Sequence, residues 1–427
     1  MKKALTLIAL LLTSIHNSSA ITLKQAENLT VKNYPLIKAL NKRKESFLKK
    51  KELIKKERFG TANITGSFLH YNRKNMLVPM STLPSPLNPP PFDQDKLSYG
   101  IEYFAPIYQG GKIPLTSLLF SLRAKSVDTQ KSYLKWTLKY QVDTAYLTYL
   151  ALKAQENSLK SYLKSLEKLK SDVETGIKAG KFAKVDLLKV EYDIAKVQSE
   201  IEKVKSEENT MLTILQNLTG IKISSVEPVT IAQKPLPPEK ILYSQLLKNN
   251  KLIELKKQET EISKKETVLT KAKYGLKITF KASYTRNYGF DSSENEPYGF
   301  AALFVSFPIF TAGKKYKDIE SAKLNELAKK QEVKAEEINL KNQLSQAISE
   351  YKYTQSEIKA LKKEVALAKE TERVEQLKYD SGKGSMEHLL LAKSKRFMAE
   401  AALKAAIYKE EIIRRKIETI INGGEIR

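Results

Sequence analysis

The chain has 427 residues, with 74 lysines and arginines against 48 aspartates and glutamates, a formal charge of +26, and no cysteine. The missing cysteine excludes disulfides, thiolate metal sites and a cysteine-linked lipid anchor. The basic excess does not point to nucleic acid: lysines interleave with carboxylates, as in Lys-Glu-Leu-Ile-Lys-Lys-Glu at 51–57, which is the pattern of a solvated helix face, and no compact basic patch with base-stacking aromatics accompanies them.

In chain order, Lys2 and Lys3 precede an apolar stretch from Ala4 to Leu12, and Ser18-Ser19-Ala20 supplies the small residues of a cleavage site. Residues 1–20 therefore read as a signal peptide, with the exported chain beginning near Ile21. Nine largely apolar residues (4–12) cannot cross a hydrocarbon core that needs about 20. No other apolar run is long enough, so an exported chain of this kind is either free or crosses a membrane as a β-barrel.

Residues 21–226 read as a first repeat: a helix over Leu36–Arg58, alternating runs at Ala62–Tyr71 and Leu97–Ala105, Pro106, a helix from about Leu115 to Gly176, a glycine turn at Gly180, and a returning helix. A Pro-rich linker at 227–240, with Pro228, Pro235, Pro237 and Pro238, leads into a second repeat at 241–427. Its counterparts are Leu252–Lys273, Lys277–Arg286, Tyr298–Phe307 and Pro308. Pro-Ile-Tyr-Gln-Gly-Gly-Lys at 106–112 and Pro-Ile-Phe-Thr-Ala-Gly-Lys at 308–314 stand 202 residues apart (308 − 106), and Gly180 and Gly382 keep the same offset (382 − 180). Such register without a net insertion implies internal duplication. Met76 and Met80 lie in a proline-rich loop (Pro79 to Pro91) that reads as an exposed surface loop and not as a soft-metal site.

The short runs alternate. Ile278, Phe280, Ala282 and Tyr284 take one face while Lys277, Thr279, Lys281, Ser283 and Thr285 take the other. Leu97, Tyr99, Ile101 and Tyr103 alternate likewise with Ser98, Gly100 and Glu102, and each run has about the ten residues of a tilted membrane strand. Four strands cannot close a membrane barrel, which needs about eight, so several chains would have to share one. In the long segments, Leu187, Val190, Ile194, Val197, Ile201, Val204, Met211, Leu215 and Leu218 follow a three-four spacing broken only where Glu208 takes a seam position. Leu340, Leu344, Ala347, Tyr351, Thr354, Ile358, Leu361, Val365 and Ala368 repeat it, and Leu159, Tyr162, Leu166, Leu169 and Val173 carry it before the first glycine turn. These are coiled-coil seams.

The two Pro-Ile motifs, the stretch Tyr-Asp-Ser-Gly-Lys-Gly-Ser-Met-Glu-His-Leu-Leu at 379–390, and the opening Thr-Leu-Lys-Gln-Ala-Glu-Asn-Leu-Thr-Val-Lys-Asn-Tyr-Pro at 22–35 together resemble the TolC-like outer membrane efflux family. The resemblance implies an α+β membrane protein, in which long antiparallel coiled coils form a periplasmic α-barrel and each protomer of a homotrimer gives four strands to a shared 12-stranded β-barrel in outer-membrane lipid. It implies an exit duct for efflux or type I secretion, docked to an inner-membrane pump through a periplasmic adaptor, with no cofactor and no catalysis; no nucleophile elbow or phosphate loop is present. The other reading left open is a secreted or periplasmic coiled-coil scaffold without a channel.

Site residues follow from the same resemblance. Tyr379 and Asp186 match positions that link neighbouring helix pairs at the closed periplasmic tip, so a hydrogen bond between them is expected. Gly180, Gly382 and Gly384 would form the tip turns, and Lys178, Lys181, Lys184 and Lys383 are candidates for the adaptor contact. Gly384 and His388 stand where better-known members carry an arginine and a carboxylate. A trimer would gather three copies of His388 into a ring whose protonation adds repulsion and favours a wider opening or anionic cargo. Pro106 and Pro308 would mark where strand pairing ends.

Overall fold

A computed structural model describes residues 20–79, 91–231 and 235–421. The expected signal peptide, apart from Ala20, and most of the proline-rich loop lie outside them. The described elements are α1 (Leu23–Asn33), α2 (Pro35–Lys56), β1 (Thr61–Met76), β2 (Phe92–Gln109), α3 (Lys112–Lys178), α4 (Lys184–Thr219), α5 (Glu239–Asn249), α6 (Lys251–Ala272), β3 (Lys277–Gly289), β4 (Asn295–Ser306), α7 (Lys314–Asp380) and α8 (Met386–Ile421). Helix lengths repeat between the halves: 11 residues in α1 and α5, 22 in α2 and α6, 67 in α3 and α7, and 36 in α4 and α8. At about 1.5 Å per residue, each 67-residue helix is about 100 Å long. No described helix is long and apolar enough to cross a membrane.

The described residues pack as two compact units, each drawn from both halves of the sequence: those within 20–39, 130–254 and 335–421 form a helical unit, and those within 40–129 and 255–334 a strand unit. Within the helical unit the predicted seams are its core. Val190, Val197, Ile201, Val204 and Leu215 of α4 are buried, as are Leu340, Leu344, Ala347, Tyr351, Thr354, Ile358 and Ala368 of α7. Glu208 is buried in its seam position, and Lys153 Nζ stands 3.4 Å from its carboxylate. This pairing keeps the charge from standing uncompensated in an apolar stripe.

Two similar cores anchor the repeats. Ile21, Ala26, Val142, Tyr146, Leu215 and Val226 form one, and Leu242, Leu246, Ile253, Leu344, Ile413 and Ile417 form the other. Asn33 Nδ2 donates to the Thr219 carbonyl at 2.8 Å, and Asn250 Nδ2 donates to the Ile420 carbonyl at 2.6 Å, so each helix break is tied to the end of the returning helix. The Tyr146 hydroxyl lies 2.8 Å from the Ile21 carbonyl and 2.7 Å from that of Glu227, next to the parallel bridge between Ile21 and Val226. Tyr146→Phe removes this donor from a buried site and is expected to lower stability by about 1 kcal/mol. Denaturant unfolding of the detergent-solubilised chain measures it, and an unshifted midpoint would refute it.

One group in this unit is electrostatically adverse. Asp143 of α3 is 4% exposed, its Oδ1 has no hydrogen-bond partner, and the nearest cation is Arg415 of α8, with Nε 3.9 Å from Oδ2. Burial pushes its carboxyl up to about 8; Glu27 of α1 adds to the rise and Arg415 opposes it. Arg414 and Arg415 also bridge Glu411 and Glu418.

The strand unit contains one antiparallel sheet in the order β1-β2-β3-β4, with β1 and β4 at its edges. Register rows such as Ile64–Ile101–Tyr284 and Ala62–Tyr103–Ala282–Ala301 put apolar residues on one face. The rows Asn63–Glu102–Ser283 and Ser67–Ser98–Asn287 put polar residues on the other. The expected alternation is present, but Pro106 does not end the strand. β2 runs on to Gln109, pairing Pro106 with Thr279 and shifting register before Tyr108. A bulge tolerates the missing N–H donor, whereas Pro308 does lie past the end of β4 at Ser306. The linker also ends slightly sooner than expected, since α5 begins at Glu239.

At the far end of the sheet, Asp93 is fully buried. Its carboxylate accepts from the backbone N–H groups of Asp95, Asp291 and Ser292 and from the Ser292 hydroxyl, all at 2.8–2.9 Å. The β3–β4 turn is thereby fastened to the start of β2.

Candidate functional site

The two turns that join the long helices have the same hydrogen-bond pattern. After α3, Gly180 N donates to Ile177 O at 3.0 Å and Lys181 N to Gly176 O at 2.8 Å; after α7, Gly382 N donates to Tyr379 O at 3.0 Å and Lys383 N to Lys378 O at 2.8 Å. These pairs are those of a Schellman stop, whose left-handed residue is most easily glycine. Gly180 and Gly382 hold φ of 73° and 71°. Gly384 is needed for a different reason: a Cβ there would stand 2.9 Å from the Tyr379 nitrogen and from Lys378 Cβ. A long side chain at this position is incompatible with the turn as it stands.

Tyr379 is 9% exposed and packs with Met386, Leu389 and Leu390 of α8 and with Val173 and Val190 of the first hairpin. The expected hydrogen bond to Asp186 is absent. Asp186 instead caps its own helix, its Oδ2 accepting from Ala183 N at 3.4 Å, while the buried Tyr379 hydroxyl has no hydrogen-bond partner. Burial pushes the Tyr379 phenol up to about 12, with the charges of Asp186, Asp172 and Asp380 adding to the effect. What holds Tyr379 is an aromatic stack on Phe182, with centroids 5.4 Å apart and planes 9° from parallel. The Phe182 ring in turn fills the space beside Gly176, where a Cβ would overlap it. The sequence reading missed both residues, although a lone aromatic two residues past a turn glycine, and a glycine inside a helix, are signals of such seating.

Because the hydroxyl is unsatisfied, Tyr379→Phe is expected to leave stability unchanged or slightly raised, within about 1 kcal/mol. Denaturant unfolding checks this; a loss well above that figure would mean that the hydroxyl has a partner. His388 is exposed, and its backbone N–H donates to Ser385 Oγ at 3.3 Å as part of the α8 cap. Lys178, Lys181, Lys184 and Lys383 are all exposed. Among the described residues no group of side chains is arranged to hold a metal ion.

A sheet oily on one face and polar on the other, and two pairs of long helices, are the features to set beside known structures. Among solved structures the fold is similar to that of CusC, described for its transmembrane channel formation, with a TM-score of 0.78 at 15% identity over 94% of this chain and 92% of that one. It is also similar to the outer membrane protein VceC from Vibrio cholerae (TM-score 0.75, 14% identity, 94% and 96% covered). The CmeC outer membrane channel of Campylobacter jejuni gives 0.76, 14% identity, and 94% and 86% covered. Residues 242–423 match the family described as outer membrane efflux protein, and a comparison with curated proteins gives no match. Along its length the chain thus shares the fold of these solved structures, and over residues 242–423 its sequence matches the outer membrane efflux protein family.

Proposed function

We propose that the chain is the outer-membrane exit duct of a tripartite export system, a homotrimer that passively conducts cargo delivered by an inner-membrane pump through a periplasmic adaptor. The observation that carries this reading is the four-stranded sheet with one oily and one polar face and two open edges, β1 and β4. Unpaired edges of this length call for a partner strand, and edge pairing among three copies would give the 12 strands of a closed barrel. The helical unit would then lie in the periplasm.

At the tip, Tyr379, Asp186 and His388 form the closure in this reading, turned by Gly180, Gly382 and Gly384. Lys178, Lys181, Lys184 and Lys383 offer charge to an acidic adaptor surface. Planar-bilayer conductance of the purified mature chain, with its mass in detergent measured on the same sample, tests the duct: discrete channels from a trimer are expected, and a monomer without conductance would overturn it. For His388, conductance and ion selectivity between pH 5 and 8 are expected to change in the wild type and to stay level in His388→Ala. Identical profiles would remove the histidine from the gate.

A further inference from the structure

The polar face of the sheet is not uniformly polar. Along β1 and β3 it carries Thr61, Asn63, Thr65, Ser67, Thr279, Ser283, Thr285 and Asn287, as the register rows require. On β4 the same face presents Phe300 and Phe304, and on β2 it presents Phe104, the register partner of Lys281. Phe104 and Phe304 are 48% and 52% exposed on a side made mostly of hydroxyl, amide and charged groups. Such placement leaves large apolar rings in water, with no core to repay it.

These rings are grouped around cations. The Lys281 ammonium lies 5.8 Å from the centroid of Phe300 and 3.1 Å from the Glu102 carboxylate. Phe304 faces Thr279, with Lys281 and Lys277 on its two diagonals. Lys281 is thus partly neutralised by Glu102, whereas Lys277 makes no ion pair among the described residues. A flat ring laid over Phe300 or Phe304 gains stacking area, and an acidic substituent on it meets the lysine beside that ring, Lys281 or Lys277. A cationic ring would meet the same two charges unfavourably.

We propose that Phe104, Phe300 and Phe304, with Lys277 and Lys281, form a contact site for planar aromatic anions on the water-facing wall of the sheet. The cargo class is then aromatic rings bearing a carboxylate or sulfonate. The site rests on the duct reading, in which this face lines the conduit. Each contact is weak and open to water, as suits a surface that cargo must leave as readily as it enters.

The test uses 2-naphthalenesulfonate as the probe on the full mature chain in planar bilayers. Concentration-dependent interruption of the current is expected, weakened about tenfold in Phe300→Ser/Phe304→Ser. Lys277→Gln is expected to erase the preference for the sulfonate over neutral 2-naphthol, and Leu303→Ser, on the oily face, to leave the block unchanged. Channels that conduct normally but are blocked equally in wild type and the double serine variant would overturn the site and leave the duct standing. If the wild type forms no channel the duct reading fails instead, and equilibrium dialysis of the same probe against the detergent-solubilised proteins decides the site: binding lost in the double variant supports it, and equal binding overturns it.

Discussion

Gly176→Leu is expected to uncouple the two helical hairpins at their turns. The Phe182 ring occupies the space a side chain would need, so leucine either strains α3 at an overpacking cost of about 1–3 kcal/mol or expels the ring. Expulsion also forfeits the stack on Tyr379, about 0.5–1.5 kcal/mol for an aromatic pair beyond its buried area. Hydrogen exchange should rise in the segments 176–184 and 376–388 and stay level in the cores around Tyr146 and Ile417. In bilayers the same variant should conduct more than the wild type if these turns close the duct. Asp186→Ala loses only a 3.4 Å capping bond and should do much less. If Asp186→Ala instead opened the tip as far as Gly176→Leu, the aromatic stack would not be what holds it.

A second large effect is expected at Asp143. Its folded-state carboxyl, raised to about 8 chiefly by burial, keeps a proton that the unfolded chain has already released above about pH 4. The folded state therefore binds more protons in that window, and stability falls as pH rises from about 4 to about 8, by up to about 1.4 kcal/mol per pH unit. Glu27 adds to this shift and Arg415 opposes it. Below the window both states are protonated and above it both are charged, so the curve flattens at each end. Asp143→Asn keeps the shape without the titration: it should match the wild type near pH 4 and exceed it at pH 8. Unfolding midpoints measured from pH 4 to 9 decide the matter, and parallel curves for the two proteins would refute it.

Much of this fold is legible in the sequence because it depends on periodicity. Alternation placed the oily and polar faces of the sheet, three-four spacing placed the seams down to the buried Glu208, and the constant offset between Gly180 and Gly382 matches two turns with one hydrogen-bond pattern. Less legible was whatever depends on a neighbour far along the chain. Pro106 reads locally as a stop, yet β3 lies alongside and the strand continues past it through a bulge. Tyr379 and Asp186 were expected to bond, but cap geometry claims the carboxylate first and the stack on Phe182 claims the ring. Nor does duplication reveal that each compact unit draws on both copies, since a repeat marks where a unit of sequence recurs and not where its contacts fall.

The carboxylate of Asp93 bears on how the β3–β4 hairpin can change over generations. Three of the four bonds it accepts come from main-chain nitrogens and one from the Ser292 hydroxyl, while at Gly289 any side chain would overlap it. Conformation is then held by a buried anion on another strand, and the side chains of Phe290, Asp291, Ser293 and Glu294 add none of those bonds. A turn built this way can vary at Asp291 and Glu294 without losing its shape, so long as Asp93, Gly289 and Ser292 persist, whereas Ser293 is held at a φ of 55° and the Phe290 ring packs on Phe68 and Tyr288.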